Sequence, residues 1–157
     1  MSFDDKFLVG FNSRFHEFRA IEASVVIGKS NCNSSGKAFS LLYDMELCYS
    51  AKAYYACLII ACTAIESILS HELGEKDNLK IKIEKSGYKN EADWLRLLRN
   101  EIVHGKGKQI IHNMVHGEIE EELKKQCRNA FKIVHTMHFN PIKEQKSSNK
   151  KINADGR

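Results

Sequence analysis

Apolar residues recur at spacings of three and four along most of the chain, which is the helical period. The first such stripe predicts a long helix over residues 3–27 and consists of Phe3, Phe7, Leu8, Phe11, Phe15, Phe18, Ile21, Val25 and Val26. The same period predicts helices over about 35–48, 51–73, 90–105 and 117–138, with a short lysine-rich segment at 76–86. No segment shows the alternation of a strand. We therefore predict an all-α, up-and-down bundle of about five or six helices.

Length and composition predict one domain. The chain has 157 residues, one proline, nine glycines and 43% hydrophobic residues, which is enough to bury a single core. Beyond residue 141 the sequence is basic and almost free of apolar residues. We predict a helical domain over 1–140 and a disordered basic tail over 141–157.

The N-terminal sequence and the cysteines predict a soluble cytoplasmic protein without a membrane segment. The first residues, MSFDDKFL, are acidic and lack the cationic flank of a signal peptide. The longest uncharged run, 53–65, is shorter than the roughly 20 residues that span a bilayer. The five cysteines include no CxxC pair, as expected for reduced thiols.

Positive charge is concentrated in one part of the chain. Residues 76–108 carry nine Lys and Arg against five Asp and Glu, whereas residues 1–75 carry six against nine. A basic patch supplies the sequence-independent part of nucleic-acid binding, so this surplus points weakly to a polyanion. A solvated helix face also explains the charge pattern, and charge alone favours this explanation.

Histidine and cysteine spacing gives little support for a metal site, and we predict neither a metal nor another cofactor. His112 and His116 are four residues apart, which places two imidazoles on one helix face, but no HExxH glutamate accompanies them. A closed site needs four ligands. His135 and His138 fall at the end of the last predicted helix, where a cation complements the helix dipole.

The stretch that combines a cation, an amide and an imidazole is Arg99–His104, just before Gly105. Arg99 offers a planar, permanently charged fork that suits a phosphate, and Asn100 can orient either the Arg99 side chain or the His104 imidazole. His104 lies in the last helical turn, where the dipole favours the imidazolium form, and an imidazole suits proton transfer. However, five residues of helix separate Arg99 and His104 by roughly 140°, so one chain would not bring them together easily.

Glu66 is the anomalous residue of the most apolar predicted helix, because it falls within the run Ala64-Ile65-Glu66. A carboxylate inside such a pattern needs a partner if it is buried. The alternative is that Glu66 lies at the polar edge of its helix, and the sequence does not decide between the two.

The run Arg99-Asn100-Glu101-Ile102-Val103-His104 resembles the R-x4-6-H motif of the HEPN superfamily, including the polar residue that follows the arginine. The late glutamate of the preceding apolar helix, Glu66, also resembles that family. The similarity covers about residues 35–138. It implies a small helical bundle, typically dimeric, that in many members is a metal-independent ribonuclease of toxin–antitoxin, abortive-infection or other defence systems.

Transferred to this chain, the resemblance implies four catalytic residues. His104 would act as general base or acid at the ribose 2′-OH and the leaving oxygen, and Arg99 would stabilise charge on the phosphate. Asn100 would position the scissile group, and Glu66 would orient Arg99. RNA would be cleaved to a 2′,3′-cyclic phosphate in a composite site of a homodimer, with a cognate antitoxin as a further partner. Lys106 occupies the place of a tyrosine that partner enzymes modify in some members, so that regulation is not expected.

Two other functions remain open from the sequence. The chain could be a non-catalytic HEPN-like dimer that binds RNA or a protein, since some family members are inactive. It could also be a structural bundle in which Arg99 and His104 pair across a dimer.

Overall fold

The computed structural model describes residues 3–26, 36–105 and 116–143, and within these ranges the chain is helical with no strand. The helices are α1 (Phe3–Val26), α2 (Gly36–Ser50), α3 (Tyr54–Leu73), α4 (Leu79–Ser86), α5 (Lys89–His104) and α6 (His116–Phe139). The predicted all-α bundle is confirmed for this part of the chain. Each helix boundary lies within about three residues of the prediction.

Helix α3 is the centre of the bundle, because it packs against α2, α4, α5 and α6. Nine of its side chains are buried: Tyr54, Cys57, Leu58, Ala61, Cys62, Ala64, Ile65, Ile68 and Leu69. By length and composition alone α3 is also the one helix in the described ranges that could span a membrane. This is weak evidence for a membrane span, because the core helix of a soluble protein has the same composition.

Helix α1 packs against α2 and α6 through its second half. The Phe18 ring stacks on Tyr49 and Phe131, with centroid distances of 4.1 and 4.0 Å. Beyond this contact the apolar stripe is only partly covered, since Phe7 is 46% and Leu8 is 56% exposed. The stripe predicted for α1 therefore contributes to the core near Phe18 and is largely exposed to solvent near Phe7.

Two capped helix ends fix the geometry around the predicted site. Gly105 adopts a left-handed conformation (φ 60°), and its N–H donates to the Glu101 carbonyl at 2.9 Å. This ends α5 at His104, as predicted from Gly105. At the start of α4 the Asn78 side chain accepts a hydrogen bond from the Ile81 N–H at 3.1 Å.

The chain after α6 folds back onto the α4–α5 connection. The Lys143 N–H donates to the Ser86 carbonyl at 2.9 Å, and the Lys143 ammonium lies 4.6 Å from the centre of the Tyr88 ring and pairs with Glu91. The remainder of the predicted tail, 144–157, lies outside the described residues.

Candidate active site

Helix α5 directs its polar residues into a cleft between three helices. The buried face of α5 consists of Ala92, Leu95 and Leu98. The polar side chains beside this face lie where the helix meets solvent. The cleft has a volume of about 370 Å³ and is lined by Arg96, Arg99 and Asn100 of α5, Cys62, Thr63 and Glu66 of α3, and Asn78, Leu79 and Lys80 at the start of α4. Three of the four residues predicted for the site, Arg99, Asn100 and Glu66, therefore share one cleft.

Arg99 and Asn100 are half-buried and contact each other. The Arg99 Nη1 donates to the Asn100 Oδ1 at 3.3 Å. A guanidinium has five N–H donors, so one bond to Asn100 leaves most of the fork for an anion in the cleft. The neutral amide restrains the arginine without neutralising its charge.

Glu66 lies at the polar edge of α3 and is exposed, so the alternative of a buried carboxylate is wrong. It faces the same cleft as Arg99, yet within the described residues no ion pair joins the two side chains. Glu66 therefore contributes negative charge to the cleft without a direct contact that would orient Arg99.

His104 is exposed at the end of α5 and does not line the cleft. This placement follows from the helix itself, because Arg99 and His104 are about 140° apart around its axis. Leu97 is two turns earlier and only about 20° from His104 around the axis, and it is 55% exposed. One chain thus presents His104 beside an exposed leucine, on a different face from the Arg99 guanidinium.

Arg96 and Lys80 are cleft residues that the motif did not identify. The Arg96 Nε donates to the Asp93 carboxylate at 2.6 Å, and the Arg96 side chain is 17% exposed. Arg96 could have been found from sequence, because it precedes Arg99 by three residues and so lies on the same side of α5. Lys80 could not, since only the packing of α4 against α5 places it there.

The Cys62 thiol is the nucleophilic group deepest in the cleft. Burial raises the pKa of Cys62 to about 11, an effect that the nearby Arg99 and Arg96 only partly oppose. The thiol is therefore protonated near neutral pH, and a protonated thiol is a poor nucleophile. The chemistry available in the cleft is anion binding rather than cysteine catalysis.

A second cleft, of about 380 Å³, lies on the other side of Thr63 and Glu66 and is lined further by Lys37, Ser67, Ser70, His71 and Glu75. Its two carboxylates make it less suited to a polyanion than the Arg99 cleft. Next to it, the buried Lys82 ammonium donates to the Ser70 hydroxyl at 2.6 Å.

His135 and His138 are not solvated cations at a helix end, so that prediction is wrong. The two residues are only 3% and 5% exposed. Burial lowers the pKa of His135 to about 4, and the neighbouring His138 and the positive charge of Arg19 act in the same direction. Burial also lowers the pKa of His138, although Glu22 partly opposes it. Because the end of α6 is covered, desolvation outweighs the helix dipole there.

The histidine pair considered as a metal site cannot be placed. His112 and the side chain of His116 lie outside the described residues. Elsewhere in the described ranges no three His, Cys, Asp or Glu side chains are grouped so that they could hold a metal ion.

Comparison with known proteins adds no family assignment: no family model matches the chain, and neither the curated proteins nor the solved structures include a significant match. A function assigned to this protein therefore rests on its own residues.

Proposed function

We propose that this protein is a metal-independent endoribonuclease of HEPN type, soluble and cytoplasmic, which acts on RNA as a homodimer without a cofactor. The observation that carries the proposal is the Arg99 cleft. Three cations and one carboxylate line it, so a phosphate would be attracted, and an imidazole lies at the end of the same helix.

The chemistry requires a phosphate clamp and proton transfer. A His104 imidazole accepts the proton of the ribose 2′-OH while the 2′ oxygen attacks the phosphorus. The bond from phosphorus to the 5′ oxygen breaks, the protonated His104 (imidazolium) of the second chain donates its proton to that oxygen, and the products are a 2′,3′-cyclic phosphate and a 5′-OH. Arg99 balances the charge that develops on the phosphate, and Asn100 restrains Arg99.

The position of His104 favours a site shared by two chains. Because His104 is outside the cleft of its own chain, a second copy related by a two-fold axis would have to bring both imidazoles to one phosphate. The exposed Leu97 on the His104 face supplies an apolar contact for such an axis. Homodimerisation is therefore part of the proposal.

The test is cleavage of total RNA or tRNA by purified protein in the presence of EDTA. We expect fragments that end in a 2′,3′-cyclic phosphate by mass spectrometry. Arg99→Ala and His104→Ala should each lower the rate by about 10²–10⁴-fold, because each removes a group that acts in the transition state.

His16→Ala is the matched control, since His16 is an exposed histidine on α1 outside the cleft. It should cleave as the wild type does. Cleavage that requires a metal, or that persists in both Arg99→Ala and His104→Ala, contradicts the proposal.

The wider biology follows from the resemblance alone. A toxin or anti-phage defence role, with a cognate antitoxin, fits a nuclease that must be restrained. Growth arrest on expression, relieved by Arg99→Ala, is the expected outcome.

The alternative is a non-catalytic HEPN-like dimer that binds RNA or a protein. The separation of His104 from the Arg99 cleft in one chain is compatible with it, because binding alone needs no imidazole at the phosphate. Salt-sensitive RNA binding that survives His104→Ala, without cleavage by the wild type, would select this alternative.

A further inference from the structure

Arg96 is held in the cleft through its Nε atom, which, among the described residues, leaves its two terminal nitrogens free to bind an anion. Its Nε donates to Asp93 at 2.6 Å, and this is its one ion pair among the described residues. The carboxylate therefore fixes the guanidinium through Nε, while the two terminal nitrogens remain for a ligand. With 17% of the side chain exposed, Arg96 is more restrained than a surface arginine.

Lys80 lies on the opposite wall, at the start of α4, and differs from the other lysines of that helix. Lys82 donates to Ser70 and Lys85 pairs with Asp77. Lys80 has no such partner among the described residues, although it lines the cleft and is exposed. Its charge is therefore available to a ligand between α4 and α5.

Three cations around a cleft of about 370 Å³ repel one another, and Glu66 is the one carboxylate that lines it. An anion in the cleft would offset this repulsion. Asp93 offsets part of the Arg96 charge through Nε. One phosphate on Arg99 would still leave Lys80 and the two terminal nitrogens of Arg96 without a partner among the described residues, which indicates room for a second phosphate.

We infer that Arg96 and Lys80 form a second phosphate subsite, which binds the phosphate adjacent to the one on Arg99 along the same RNA strand. The inference rests on the proposed function, which assigns the scissile phosphate to Arg99. Residues three apart on a helix have Cβ atoms about 5–6 Å apart, so the two arginines can reach neighbouring phosphates.

Such a subsite holds the strand in register without touching the reacting atoms. A contact that stabilises the bound substrate and the transition state by the same free energy lowers KM and leaves kcat unchanged. Losing such a contact raises KM alone. Arg96 and Lys80 are therefore binding residues, in contrast to Arg99 and His104.

The experiment measures binding of a short mixed-sequence 2′-O-methyl oligoribonucleotide, which cannot be cleaved by 2′-OH attack, over a range of salt concentrations. For single strands, the slope of log K against log salt decreases in magnitude by about 0.7 for each phosphate that the protein no longer neutralises. Arg96→Gln and Lys80→Gln should each show part of that decrease and bind about tenfold more weakly at low salt, and the double variant should show all of it.

Arg96→Lys keeps the charge and should retain most of the wild-type slope. Lys132→Gln is the matched control, because it removes an exposed cation of α6 that lies outside the cleft. Thermal unfolding of each variant shows whether removing the hydrogen bond to Asp93 disturbs the fold, and Lys80→Gln tests the subsite while that bond stays in place.

Cleavage of the unmodified oligoribonucleotide separates this inference from the proposed function. In Arg96→Gln we expect KM to rise about tenfold with kcat nearly unchanged. Wild-type affinity, slope and KM in both glutamine variants would overturn the subsite and leave the nuclease standing. Arg96-dependent binding by a wild type that cannot cleave would retain the subsite and overturn the nuclease.

Discussion

The ends of α5 and α6 both carry histidine, yet their environments are opposite. His104 is exposed one residue before Gly105, whereas His135 and His138 are buried under α1 and α2. Around His135 the space is a cavity of only about 70 Å³, lined by the rings of Phe131 and Phe139 among others. The Arg99 cleft is open, polar and about five times larger, since its volume is about 370 Å³.

This difference shows that the helix dipole does not determine what a terminal histidine does. Desolvation keeps His135 neutral, with its pKa lowered to about 4, because charging it would bury an uncompensated ion. The same residue type at the exposed end of α5 is in contact with solvent, so no comparable desolvation acts on it. Burial makes the α6 histidines structural, and exposure leaves His104 available for chemistry.

The largest expected effect concerns the exposed C-terminal end of α5, which carries His104. Leu97→Glu places a carboxylate beside His104 on the face proposed for the two-fold axis. We expect dimerisation to weaken about 30-fold or more and cleavage to be lost at concentrations where the wild type is dimeric. Sedimentation equilibrium and the cleavage assay measure the two effects.

Val9→Glu is the control for this variant, because Val9 is an aliphatic residue of α1 with similar exposure, 58% against 55%. It should leave the oligomeric state unchanged. A Leu97→Glu protein that stays dimeric, or that is monomeric and fully active, would remove the argument for a shared site.

The next largest effect concerns the buried C-terminal end of α6, which carries His135. The pKa of His135 is about 4 in the folded protein and about 6.5 in the unfolded chain, so the unfolded chain binds the additional proton as the pH falls. This contribution to stability is complete above pH 6.5 and is lost progressively between pH 6.5 and 4. The free energy of unfolding therefore falls by about 2 kcal/mol between neutral pH and pH 5.

Urea unfolding at neutral and mildly acidic pH measures this loss. His135→Leu removes the titrating group, so its stability should fall less with acid than that of the wild type. His16→Ala, at an exposed position on α1, should keep the wild-type dependence. Equal acid sensitivity in His135→Leu and the wild type would mean that folding does not lower the pKa of His135.

The smallest effect concerns the geometry that fixes His104. Gly105 has a φ of 60°, and a Cβ added there would meet none of the described residues within 4 Å, so among them Gly105→Ala introduces backbone strain alone. We expect a loss of about 1 kcal/mol in the free energy of unfolding. Because the strain is at the residue after His104, the rate of cleavage should fall as well.

Gly105→Asn distinguishes strain from loss of glycine itself, since asparagine tolerates the left-handed region better than alanine. Differential scanning calorimetry should rank the wild type above Gly105→Asn and Gly105→Ala last. If alanine and asparagine were equally tolerated, the left-handed cap would not define the end of α5.

The helices and the relative positions of Arg99 and His104 on α5 follow from local sequence. The apolar period predicts α1, α2, α3, α5 and α6, and Gly105 accounts for the end of α5, because both depend on residues close in the chain. The 100° rotation of the helix is equally local, and it separates Arg99 from His104 before any tertiary contact is known.

Tertiary packing decided the rest. Lys80 joins the cleft only because α4 packs beside α5, and Glu66 is exposed because α3 leaves one edge uncovered. Whether a histidine at a helix end is charged depends on which other helices cover it. Those helices are distant in sequence, and for this reason the pattern of α6 alone gave the wrong charge state for His135.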